Sequence, residues 1–140
     1  MSLSTKRAHV ARATLEAIAL QVRDVFTAME ADLGIRLAQL SVDGGATLND
    51  TLMQIQADIL GRRVRRHAVT ELSAAGTGVL AGIASGFWTD AEGLSILSKP
   101  AASFDPLLEE TARQRTIGMW NEAIHRATKD VPGERKSWFA

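Results

Sequence analysis

Cysteine is absent from this 140-residue chain, which excludes a disulfide framework and thiolate chemistry and fits a reducing compartment. An excess of either charge is absent too. Lys plus Arg number 16 and Asp plus Glu number 16, so no global field draws the chain to nucleic acid or to an anionic membrane. No apolar stretch reaches the roughly 18 residues that would span a bilayer. The opening Met-Ser-Leu-Ser-Thr-Lys-Arg holds no apolar core of a secretion signal, and residues 1–6 read as a leader or linker outside the fold. His9, His67 and His125 lie far apart without metal-ligand spacing, so no metal site is expected. The expectation is a cytoplasmic globular chain, long enough for one domain with its own core.

What is present is an alternation of helical and extended patterns. Leu15, Ile18, Val22, Val25 and Met29 recur at spacings of three and four, which predicts a helix from about His9 to Glu30 with Gly34 as its C-terminal cap. Leu37–Val42 reads as a strand that runs into Asp43-Gly44-Gly45. A second helix is predicted from near Ala46 to before Gly61, with Leu48, Leu52, Ile55 and Ile59 in one stripe. Val64–Val69 reads as a second strand, poor in apolar side chains and rich in arginine, as edge strands are. A small-residue helix follows from Glu71 to about Gly86, then a loop holding Phe87-Trp88 and Lys99-Pro100. A long helix from about Pro106 to Lys129 has Ile117, Trp120, Ile124 and Ala127 as its buried stripe, with Glu109/Arg113 and Glu122/Arg126 as i,i+4 pairs. Val131–Ala140 reads as a loose tail.

This order predicts an α/β fold with about two parallel strands and four helices. Two strands offer little face for four helices and leave edges on both sides, so the pattern reads as part of a longer protein.

Chemistry concentrates in Leu40-Ser-Val-Asp-Gly-Gly-Ala-Thr-Leu-Asn49, a strand, a double-glycine turn and a helix start. Ligands of open α/β sheets bind beyond the carboxyl ends of the strands. Gly44 and Gly45 let the backbone turn sharply and let a ligand come close. A helix N-terminus beyond them suits a phosphate, and the Asn49 amide carries the donor and acceptor that match the N6/N7 edge of adenine. Alone, a Gly-Gly turn before a helix is more often only a connection.

A wider resemblance adds to that pattern. The run from Val42-Asp-Gly-Gly-Ala-Thr-Leu-Asn49 to Gly61 resembles the adenosine motif of the FGGY carbohydrate kinases, most of all the glycerol kinase branch. His9–Asp24 is similar to the second half of that family's C-terminal signature. Ala75-Gly-Thr-Gly-Val-Leu-Ala-Gly82 with Gly86-Phe-Trp88 resembles its small-residue helix, and Trp120-Asn-Glu-Ala-Ile124 its closing helix. The resemblance covers about Arg7 to Lys129. It implies part of the C-terminal lobe of an actin-like ATPase (ribonuclease H-like) fold over residues 7–130, with residues 131–140 as a tail. It also implies ATP or ADP with Mg²⁺ as the cofactor and glycerol or a related polyol as the other partner.

Carried over by position, the resemblance places the α-phosphate at Gly45, adenine at Asn49 and the turn partner at Gly44. The general base, the polyol contacts, the first phosphate loop and the groups that hold Mg²⁺ belong to family segments that precede this one. No catalytic residue is therefore expected here, and the chain alone is expected to be inactive. Two departures stand out: Ala74-Ala75-Gly76 lacks a leucine usual in the family, and His67 replaces a common proline.

Blander readings accompany the sharper ones. Asp43 fits a strand end better than a catalytic carboxylate. The arginines of 62–66 alternate between two faces without interleaved aromatics, so they read as a solvated strand rather than a nucleic-acid patch. Gly78-Val-Leu-Ala-Gly82 fits close helix packing rather than a membrane helix. Three functional readings stay open: a glycerol kinase, a kinase of another sugar or polyol, and a non-catalytic nucleotide-binding or interaction module. Uncovered apolar faces and a free sheet edge predict self-association as a homo-oligomer.

Overall fold

A computed structural model of the chain describes residues 4–129. Of the expected leader or linker 1–6, residues 1–3 lie outside the described residues, as does the tail 131–140 with Trp138. The elements are α1 (Arg7–Leu33), β1 (Gln39–Val42), a 3-10 turn (Gly45–Leu48), α2 (Asp50–Leu60), β2 (Arg63–His67), α3 (Leu72–Ala84), α4 (Asp90–Leu97), β3 (Pro100–Phe104) and α5 (Glu110–Lys129).

The α/β class stands, with one more strand and one more helix among the described residues than the sequence pattern predicted. β1 and β2 are parallel as expected. β3 and α4 occupy the region read as a loop, and β3 adds to β2 antiparallel, in the order β1-β2-β3. Pro-Ala-Ala-Ser-Phe has too few β-branched or apolar residues to announce a strand. Pro100 is tolerated because it is the first residue of an edge strand, where a missing N–H costs no central ladder bond.

The second correction concerns β2, which is central rather than an edge. Two of its three arginines are paired with neighbours. Arg63 forms a two-pronged bond with Asp105 at 2.7 and 3.1 Å, and Arg66 reaches Asp50 at 2.6 Å. Just before the strand, Arg62 Nε donates to the Leu37 carbonyl (3.1 Å), while Glu30 accepts from the Leu37 N–H (2.7 Å). Both polar groups of Leu37 are thus satisfied by side chains where α1 hands over to β1.

Helix α2 is the centre of the molecule. Leu52, Met53 and Ala57 face Val64, with Leu40, Val42 and Phe104 against them. Ile55 and Ile59 face Ala19 and Leu20 of α1 and Ile117 of α5. A helix apolar on nearly all sides is one enclosed between two layers. Here the sheet lies on one side and α1 with α5 on the other. Buried Gln56 is satisfied by donating to the Ala19 carbonyl at 3.2 Å. Gly61 caps α2 in the left-handed region (φ 62°), and Gly34 caps α1 likewise (φ 65°).

The stripe predicted for α1 is only partly the buried one. Ala19, Leu20 and Phe26 are buried, whereas Ile18, Val25 and Met29 are exposed. α1 turns toward α2 the face that α2 can fill, and periodicity alone does not choose between two apolar faces of one helix. Leu48 and Ile124, also expected inside, are exposed. On α5 the Glu122/Arg126 pair forms, but Arg113 pairs with Glu110 rather than Glu109.

Candidate functional site

The carboxyl ends of the parallel strands β1 and β2 lie side by side, Val42 opposite Arg66. There the chain turns at Gly44, whose φ of 90° with ψ of 164° is open to glycine and strained for any side chain. The Gly44 N–H donates to the Thr70 carbonyl at 2.9 Å, which fastens the turn to the segment leaving β2. The Gly44 carbonyl accepts twice from Thr47, from its N–H (3.0 Å) and its hydroxyl (2.7 Å). Thr47 is buried, so this knot faces inward while Gly45 and Asn49 stay exposed.

Gly45 differs from its neighbour. Its φ is not positive, and a Cβ built on it would meet nothing within 4 Å. Neither strain nor packing therefore demands glycine, and what its missing side chain leaves is open space above the backbone. The amides of Gly45 and Ala46, first in the 3-10 turn, have no intra-turn partner ahead of them.

Asn49 was expected one turn inside the second helix. It is instead the residue that starts α2: its side-chain oxygen accepts from the Leu52 N–H at 3.1 Å, and Gly45–Leu48 form a separate 3-10 turn. The cap uses the amide oxygen, so the NH₂ and one oxygen lone pair remain for a ligand. The structure thus brings Gly44, Gly45 and Asn49 into a single turn at the end of β1. Asp43 is exposed at the strand end.

Two residues of this locality escaped the sequence reading. Thr47 makes the inner knot. Arg66 donates from Nη1 to the Thr47 carbonyl (2.8 Å) and to the Asp50 carboxylate (2.6 Å), with its guanidinium 5.5 Å from the Phe104 ring centre. The available signal was parity: Arg66 shares a face with buried Val64, two residues earlier.

Three clefts lie off the turn rather than over it. One of about 300 Å³ is apolar and runs between α1 and β1 past Asp43 and Thr47. One of about 450 Å³ is lined by Arg12, Asp50, Gln54 and Phe104. One of about 230 Å³, at the other end of α2, holds Arg23, Arg36, Arg62 and Arg113. None of the three is lined by Gly45 or Asn49. Among the described residues no group of three His, Cys, Asp or Glu side chains could hold a metal ion, and no helix is long and apolar enough to cross a membrane.

Residues 1–85 match the C-terminal domain of the FGGY family of carbohydrate kinases. The chain belongs to that family. Among relatives of this FGGY domain, the glycerol kinase of Petrotoga mobilis is 49% identical over 127 residues, 91% of this chain and 26% of the relative. That of Dechloromonas aromatica is also 49% identical over 127 residues, again 91% of this chain and 25% of the relative. Among solved structures, Plasmodium falciparum glycerol kinase with ADP superposes with a TM-score of 0.78 at 30% identity, covering 90% of this chain and 25% of that one. Xylulose kinase from Rhodospirillum rubrum superposes at 0.63 and 27% identity, covering 92% and 27%. The FGGY chain described here therefore spans about a quarter of the length of the relatives it matches.

Proposed function

We propose that residues 7–130 are the nucleotide-binding part of an ATP-dependent kinase that transfers a γ-phosphoryl group to a polyol hydroxyl, with glycerol as the first candidate acceptor. The observation that carries this reading is the pairing of an open Gly45 with a capped Asn49 in one turn beyond β1. A phosphate approaching Gly45 meets backbone amides and no side chain, while the Asn49 amide is oriented by its cap toward a purine edge. The likeness to glycerol kinases at 49% identity favours glycerol, and the superposition on xylulose kinase keeps a sugar acceptor as the second reading.

The residues present fit the α-phosphate and adenine of ADP. The family resemblance assigns the general base and the groups that hold Mg²⁺ to segments other than this one, and on that reading this chain alone is inactive. Once bound, the nucleotide supplies the phosphoryl group, while this chain's own part is to hold and orient it. The exposed Ile18, Val25 and Met29 of α1 and Leu80 and Phe87 around α3 support self-association of the isolated chain, in a cytoplasmic setting.

The test is calorimetric titration of the chain with Mg-ADP. Gly45→Val is expected to abolish binding without lowering the melting temperature, since its side chain enters open space. Asn49→Ser, which keeps a capping oxygen but loses the amide donor, is expected to weaken binding at least several-fold while α2 stays capped. Unaltered affinity in both variants sinks this placement of the nucleotide.

A further inference from the structure

Arg66 has no ordinary reason to be where it is. The sheet register stacks Leu40, Val64 and Phe104 in one cross-strand row beneath α2, and Val42, Arg66 and Ala102 in the next. Packing alone would place an aliphatic side chain in that row, because a charge drawn out of water costs free energy unless it is paired and hydrogen-bonded. The Arg66 side chain is only 17% exposed. Every contact it makes leads to the glycine turn or to its support. Nη1 holds the Thr47 carbonyl, and Thr47 in turn holds Gly44. The same nitrogen holds Asp50, the first residue of α2, and the guanidinium lies against the Phe104 ring. These anchors fall between Gly45 and Asn49 and just after Asn49.

Charge adds a second argument. Asp50 is an exposed carboxylate in the first turn of α2. It suits the helix dipole but stands where a phosphate would approach, and an unpaired anion there would repel it. Arg66 offsets that charge from below, leaving the helix end and the Gly45 amides free to attract.

We propose that Arg66 is a positioning residue of the nucleotide site: it fixes the Gly45–Asn49 turn above the sheet and cancels the Asp50 charge in front of the incoming phosphate. The role rests on the nucleotide reading above, and the experiment separates the two. Arg66→Met keeps the stem and removes the charge and the fork, Arg66→Lys keeps only the charge, and Arg66→Met with Asp50→Asn removes both charges. Amide hydrogen exchange is followed on the full chain, together with calorimetric titration with Mg-ADP and with adenosine.

In Arg66→Met, amides of 45–52 are expected to exchange at least tenfold faster, with those of α5 unchanged. Affinity is expected to fall about tenfold for Mg-ADP and less for adenosine. Arg66→Lys should recover part of the ADP affinity but little of the protection, and adding Asp50→Asn to Arg66→Met should recover ADP affinity alone. A merely structural arginine would lower both affinities equally and would gain nothing from Asp50→Asn; either result overturns the proposal, as does unchanged exchange over 45–52. Should Arg66→Met fail to fold, Arg66→Lys alone decides, since full protection of the turn by lysine refutes the fork. Absence of ADP binding by the unaltered chain counts against the nucleotide reading, and the exchange data then decide whether Arg66 holds the turn.

Discussion

The layered body and the α3–α4 hairpin are built by different means. In the body, α2 sits between the sheet and α1 with α5, and its buried side chains meet other elements: Leu52 and Met53 cluster with Val64 of the next strand, and Ile55 and Ile59 with Ala19 and Ile117, tens of positions away in sequence. In the hairpin, α3 and α4 pack chiefly on each other, and Val79 and Gly93 alone are buried. Closeness there comes from missing side chains. Gly82 lies under the Trp88 ring, and Gly93 lies against Val79 and Ile83. Leu80, Phe87 and Leu94 are more than 60% exposed. Long-range apolar burial therefore holds the body, whereas helix caps and close backbone approach hold the hairpin. The two should come apart under mutation.

The largest effect should come from the body. Ile59→Ala removes a side chain that is 3% exposed between α1, α2 and α5, and should cost about 2–5 kcal/mol, seen as a lower midpoint in chemical denaturation of the whole chain. A loss confined to one helix would mean that the layers are not one cooperative unit.

Gly93→Val should act more locally. Its Cβ would stand 2.7 Å from Val79 Cγ1 and 2.8 Å from Ile83 Cδ1, so α4 must move off α3 at a cost of about 1–3 kcal/mol. Amide exchange should accelerate in α3 and α4 and leave α2 protected. An equal fall in α2 would erase the distinction between the two regions.

The smallest effect is a pH dependence at the start of α4. The Thr89 backbone N–H and hydroxyl both donate to the Glu92 carboxylate at 2.8 Å, and these bonds, the backbone one foremost, hold its carboxyl below the usual carboxylate range. A group whose folded pKa is lowered contributes stability above its unfolded pKa and loses it as pH falls through the folded value. Protection of α4 amides should therefore be constant near neutrality, begin to decline as pH falls into the range where a free glutamate titrates, and reach its floor below the lowered folded value. Glu92→Gln should flatten that profile while α2 stays unchanged.

Much of the local structure was legible because it is written in neighbouring residues. The glycine cap at 34 and the helix end before Gly61 announced themselves after apolar periodicity, and the strand–Gly-Gly–helix order announced the turn at the end of β1. The proposed site residues Gly44, Gly45 and Asn49 were legible as a motif, but the cap made by Asn49 was not. A 3-10 turn at 45–48 and an α-helix through the same residues look alike in sequence. Arg66 was hidden because its value depends on Asp50 and Thr47 across the strand–helix packing. β2 looked like an edge because charge normally marks edges, yet Asp105 and Asp50, both distant in sequence, pair with Arg63 and Arg66 in the centre. β3 was hidden because a strand supplied with a partner needs little propensity of its own.

By itself, then, the sequence determined helix and strand periods, the glycine positions and the chemistry on offer at the turn, since these depend on backbone sterics and spacing within a few residues. Tertiary structure alone decided which apolar face of α1 is buried, that β2 is central, and that Arg66 lies under the Gly45–Asn49 turn. Each of those outcomes is a choice among partners far apart along the chain, settled by which packing buries apolar surface while pairing the charges it draws out of water.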